Sequence, residues 1–154
     1  MRHNSGRTAR NHMIKRVVLD TSVVVAALQT RAGAGNAVLR LVANRRLVPL
    51  ATGPLFLEYK DVLNRPDQRI AHGLTLEMVD EFLAEVAALV EPVEVRFLWR
   101  PQVRDPSDEM VLEAAINGRA DALVTYNFRD FAVAGERFAV LVLRPPELLK
   151  MVKR

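Results

Sequence analysis

The chain has 154 residues, room for one ordinary domain and no second folded module. Half of the residues are apolar and 26% are charged, so one sizeable core can form and disorder along the whole length is excluded. With no cysteine, a disulfide framework, a thiolate zinc site, an iron–sulfur cluster and a cysteine nucleophile are excluded together. No apolar run approaches the roughly 18 residues of a membrane span, and the amino end lacks the apolar stretch of a signal peptide. The expectation is a protein of the reducing cytoplasm with no membrane partner.

The net charge of +4 points towards nucleic acid, but its distribution weakens that reading. Arg2, Arg7, Arg10, Lys15 and Arg16 stand in the first 16 residues without an acid. Beyond them, 17 of the 22 basic residues face all 18 acids, a net charge of −1. Residues 1–12 are polar and without periodicity, and are expected to be a flexible basic extension. Residues 13–154 are expected to form the single domain.

Val17, Val18 and Leu19 form a short apolar run ending at Asp20, the pattern of a central strand covered on both faces. Similar runs occupy 47–51, 122–125 and 139–143. Helical patterns lie between them at 35–44, 54–63, 76–90 and 107–117. This alternation predicts a three-layer α/β/α domain around a parallel sheet of four to five strands. Thr52-Gly53-Pro54 and Thr75 open helices, and 65–69 breaks the helix that precedes it. In Asp105-Pro106-Ser107-Asp108, Asp105 suits the N-cap and Pro106 the first helical position. Within 91–104, Val93, Val95 and Phe97 alternate with charged residues, as an edge strand does.

Ligands of an open parallel sheet collect beyond the carboxyl ends of its strands. Asp20 ends the first strand, with Thr21 and Ser22 behind it; Asn127 and Asp130 follow the run at 122–125. Asp121 begins that run and falls at the opposite end. Glu58 lies one turn into its helix among Leu55, Phe56, Leu57 and Tyr59, an apolar setting in which a lone carboxylate is costly. Asp105, Asp108 and Glu109 crowd one helix start, where capping and the helix dipole also account for them. Carboxylates converging on one crevice repel each other, and a divalent cation relieves that repulsion. Oxygen-only donors, with His3, His12 and His72 placed elsewhere, select Mg²⁺ or Mn²⁺ over zinc. The chemistry that fits is metal-assisted hydrolysis.

These residues resemble the PIN-domain ribonucleases, and among them the VapC-like toxin components of bacterial toxin–antitoxin pairs. The resemblance spans about residues 13–149 in four segments. Val17-Val18-Leu19-Asp20-Thr21-Ser22-Val23 is similar to the first motif, with Asp20 at its acid, and Glu58-Tyr59-Lys60-Asp61-Val62-Leu63-Asn64-Arg65-Pro66 to the second, with Glu58 at its acid. Asp105-Pro106-Ser107-Asp108-Glu109 resembles the third, whose acid falls at Asp108 or, with a one-residue slip, Glu109. Leu123-Val124-Thr125-Tyr126-Asn127-Phe128-Arg129-Asp130 resembles the fourth, with Asn127 where many members carry Asp and Asp130 able to compensate.

The resemblance implies a Mg²⁺- or Mn²⁺-dependent endoribonuclease. Asp20, Asp108, Glu58, Asp105 and Glu109 are its candidate metal ligands, and Asn127 or Asp130 completes the shell. Thr21, Ser22 and Thr125 are the candidate supporting side chains. Candidate phosphate contacts are Arg45, Arg46, Arg65, Arg69, Arg100 and Arg104, with Tyr126 and Phe128 as aromatic neighbours. An antitoxin that covers the crevice and a second copy of the chain are the implied protein partners. The helix at 76–90, with Met78, Phe82, Leu83, Val86 and Leu89, is the candidate contact face. A phosphatase of the haloacid-dehalogenase kind would need a second acid where Ser22 stands. A non-catalytic PIN-fold module that binds RNA or protein is the alternative, and Asn127 favours it.

Overall fold

The computed structural model describes residues 14–96 and 103–152. The extension expected at 1–12, together with Phe97 and Arg100, lies outside the described residues. Five parallel strands form one sheet in the order β3-β2-β1-β4-β5, flanked by helices. They are β1 (Arg16–Leu19), β2 (Val48–Ala51), β3 (Glu91–Pro92), β4 (Ala122–Val124) and β5 (Val142–Leu143). The helices are α1 (Thr21–Gln29), α2 (Ala34–Ala43), α3 (Gly53–Leu63), α4 (Pro66–His72), α5 (Leu76–Leu89), α6 (Pro106–Gly118), α7 (Phe128–Arg137) and α8 (Pro145–Val152).

β1 is central because Val17, Val18 and Leu19 carry apolar side chains on both faces, and all three are buried. Its ladder with β4 sets Val17 opposite Ala122 and Leu19 opposite Val124, so both strands end level with each other. α6 packs against β1, β2 and β4, while α1 packs against α2 and α3. The helix starts follow local chemistry: Thr52 accepts from Leu55 N at 3.2 Å and Thr75 from Met78 N at 3.1 Å. The Asp105 side chain accepts from Ser107 N at 2.8 Å, with Pro106 in the first turn.

Several elements differ from the sequence pattern. The apolar run at 139–143 pairs only at Val142–Leu143, because Ala139 turns to φ 57 and Val140 N bonds back to Gly135 O, closing α7. Among the described residues of 91–104 the edge strand is Glu91–Pro92, extended by one bond from Val93 N to Ala51 O. Residues 65–69 end α3 and then start α4, because Pro66 stands at a first helical position where its missing N–H costs no bond. α1, with its β-branched Val23, Val24 and Val25, has weak intrinsic helix preference and is held by burying Val23, Val24 and Ala27. The stripe on α5 divides: Val79 and Leu83 enter the core, and Met78 remains exposed.

α7 approaches β5 so closely that a side chain at Gly135 has no room. A Cβ there would lie 2.7 Å from Val142 Cγ2 and 3.0 Å from Val140 O. Gly135→Ala is therefore expected to destabilise the domain by about 1–3 kcal/mol, read as a lower Tm and urea midpoint than the parent chain.

Candidate active site

The carboxyl end of the central strand carries a buried, hydrogen-bonded acid. Asp20 follows β1, is 4% exposed, and is anchored by a bond from its own N–H to Val124 O at 2.9 Å. Its Oδ2 accepts from Ser22 Oγ and from Thr125 Oγ1, each at 2.7 Å. Thr125 Oγ1 also accepts from Asn127 N at 2.9 Å, and Ser22 Oγ from Tyr126 N at 3.3 Å. Two hydroxyls thus tie the β1 and β4 ends together through one carboxylate oxygen. The other oxygen, Oδ1, accepts no bond from the described residues.

Across the same edge, Asp108 lies in the first turn of α6 and is buried. Burial, followed by the negative charges of Asp20, Asp105 and Asp130, pushes its carboxyl up to about 7. Four carboxyl groups from three parts of the chain therefore act on one another here. Asp105, Asp108 and Asp130 also line a cavity of about 710 Å³ with Val103, Arg104, Arg129 and Val133. The first turns of α6 and α7 form its walls.

Glu58 is set differently. The apolar run around it divides: α3 buries Leu55, Tyr59 and Leu63, packs Phe56 partly against the core and leaves Leu57 64% exposed. Glu58 is half-buried, and it is not among the charges that raise Asp108. Glu109 is buried, and its Oε1 accepts from Val103 N at 2.8 Å, holding the entry into α6. Asp108, its neighbour, is the acid on which the charge of Asp20 acts. Asn127 is exposed, and its main chain bonds Thr125 and Asp130; Thr21 donates no side-chain bond to the described residues.

Of the arginines, Arg104 lines the acidic cavity. Arg45 and Arg46 precede β2 and stand at the amino-terminal edge of the sheet, away from Asp20; Arg46 bonds Val152 O. Arg65 pairs with Asp61 at 3.0 Å, and Arg69 lines a separate cavity beside α4. Tyr126 OH accepts from Gly35 N at 3.0 Å, and Phe128 lies under the Arg144 guanidinium, 4.5 Å from its ring centre.

Two residues were missed by the sequence reading. Tyr59 donates its hydroxyl to Leu19 O, directly before Asp20. Burial first, then the charge of Asp20, holds that phenol far above its ordinary range, so it remains a donor. Its place beside the acidic Glu58 was the available signal. Arg129 shares the cavity with the acids, and its position one residue before Asp130 was the signal there.

The family model of the PIN domain matches residues 16–129, and the chain belongs to this family. The matched span includes Asp20, Glu58, Asp108 and Asn127 and ends one residue before Asp130. No curated protein matches the chain. PIN domains are typically metal-dependent nucleases.

The donor set fits a hard cation in kind, since it consists of carboxylates with one free oxygen on Asp20. Among the described residues, no three Asp, Glu or His side chains stand close enough to clasp an ion directly. Mg²⁺ tolerates such spacing, since it keeps several waters and takes only one or two carboxylates.

The Asp108 shift has a consequence for the metal-free protein. The folded carboxyl titrates at about 7 against an ordinary 3.8, so the folded state holds the extra proton between those values. Stability is therefore expected to fall as pH rises from about 4 to about 7 and to level off above that. Thermal melts in EDTA across this range check the slope, and Asp108→Asn is expected to remove its contribution.

Proposed function

We propose that the chain is a Mg²⁺- or Mn²⁺-dependent endoribonuclease and the toxin of a toxin–antitoxin pair. The observation that carries the nuclease reading is the gathering of Asp20, Asp105, Asp108 and Asp130 at one edge, where burial first and the three neighbouring charges second raise the Asp108 carboxyl to about 7. A cation bound there would relieve that repulsion and favour the ionised form of Asp108. Asp20 and Asp108 would hold the ion, with Asp105 on the α6 side and Asp130 on the α7 side of the cavity and Glu58 and Asn127 as further donors. When bound, the ion neutralises the phosphodiester and activates water for its hydrolysis. Ser22 and Thr125 orient Asp20 through Oδ2 and leave Oδ1 for the ion; Tyr59 fixes the Leu19 carbonyl behind it. A covering antitoxin and a second copy of the chain complete the proposed assembly.

One observation favours a second reading, a PIN-fold module that binds RNA without cutting it: the absence of a three-carboxylate clasp among the described residues. Cleavage of RNA separates the two. The nuclease reading expects fragments with Mg²⁺ or Mn²⁺, none in EDTA, and losses of kcat/KM of about 100-fold or more in Asp20→Asn and Asp108→Asn. A chain that binds RNA with no cleavage under any divalent cation is the binding module instead.

A further inference from the structure

The cavity between the first turns of α6 and α7 holds charges of both signs. Arg104 and Arg129 stand on its wall with Asp105, Asp108 and Asp130. Elsewhere on this surface, arginines beside acids pair with them. Arg16 meets Glu91 at 2.6 Å, Arg65 meets Asp61 at 3.0 Å, Arg96 meets Glu94 at 3.2 Å, and Arg144 meets Glu147 at 3.9 Å. Arg104 and Arg129 form no salt bridge with any described residue, although three carboxylates share their cavity. Both are exposed.

An arrangement of this kind suits a ligand that presents a cation to the acids and anions to the guanidiniums. We propose that Arg104 and Arg129 clamp an RNA phosphodiester next to the one facing the acids. This assignment rests on the nuclease reading and deepens it by naming how the substrate is gripped. A guanidinium offers a planar fork of donors that matches two phosphate oxygens, and one arginine from each wall closes on a phosphate from two sides. The N-terminal turns of α6 and α7 add their positive dipole ends to the same space. Without the pair, the acidic wall would repel the polyanion it has to admit. Val133, one turn beyond Arg129 on α7, is 71% exposed on the same cavity and offers the adjoining nucleotide an apolar shelf.

The clamp is tested with a fluorescein-labelled single-stranded RNA in EDTA, where binding is read by anisotropy at several salt concentrations. Arg104→Gln and Arg129→Gln are each expected to weaken binding several-fold at low salt. Each should also reduce the slope of log K against log salt by about 0.7, one phosphate contact on a single strand. Arg129→Lys is expected to recover most of the slope but not all of the affinity. Arg40→Gln on α2 removes the same charge outside the cavity and controls for net charge; melting curves confirm that each variant folds. Unchanged slopes in both cavity variants, or losses no larger than that of Arg40→Gln, overturn the clamp. Wild-type cleavage with Mg²⁺ or Mn²⁺ is scored separately, so failure of the clamp is distinguishable from failure of the nuclease reading.

Discussion

Like charges brought together at the end of a central strand govern the organisation of this edge. Burying a carboxylate beside others of the same sign costs free energy through lost hydration and through repulsion. The fold meets that cost in two ways. Asp20 is satisfied on one oxygen by Ser22 and Thr125, while Asp108 retains its proton up to about pH 7. Both arrangements leave capacity for a cation, one as a bare oxygen and the other as a displaceable proton.

The opposite edge of the sheet provides an internal contrast. Asp121 precedes β4, and its Oδ2 accepts from the backbone N–H groups of Lys15 and Arg16 at 3.0 and 2.8 Å. Arg16 bonds Glu91 and also reaches the carbonyls of Gly118 and Arg119. The Arg16 hydrogen bond holds the Glu91 carboxyl below its ordinary range. A cavity of about 440 Å³ opens there too, yet Arg16 and Glu91 on its wall are already paired, as are Glu94 and Arg96. Satisfied charges hold strands in register. At the carboxyl ends, by contrast, Asp20, Asp105, Asp108 and Asp130 gather without a salt bridge among the described residues, and it is this edge that the proposed function uses.

The architecture was legible because apolar runs of strand length alternate with helical patterns, and because Asp105-Pro106 and Thr52-Gly53-Pro54 state their helix starts in local chemistry. α1 and α4 were not. The valines of α1 read as strand-formers until tertiary burial decides otherwise, and Pro66 reads as a breaker until a second helix is seen to begin on it. In the site, Asp20 was legible from its place after a buried strand. The choice between Asp108 and Glu109 was not, because two adjacent acids on a helix differ only in the direction they face. In the fold Glu109 Oε1 accepts from Val103 N, while the Asp108 carboxyl feels the charge of Asp20. Tyr59 escaped notice because its partner, Leu19 O, lies 40 residues away in the chain, and Arg129 because Asp105 and Asp108 of its cavity come from a different helix start. Glu58 looked constrained because Leu55, Phe56, Leu57 and Tyr59 flank it in the chain, yet Leu57 is exposed in the fold.

The most direct test of a shared cation site is paramagnetic broadening of backbone amide signals as Mn²⁺ is added to the isotopically labelled, metal-free protein. Signals of Thr21, Ser22, Asp108, Asn127 and Asp130 should vanish first, while those at the amino-terminal edge around Arg45, Asp121 and Glu91 stay sharp. Broadening centred on that opposite edge, or scattered evenly over the acidic surface, would contradict the account.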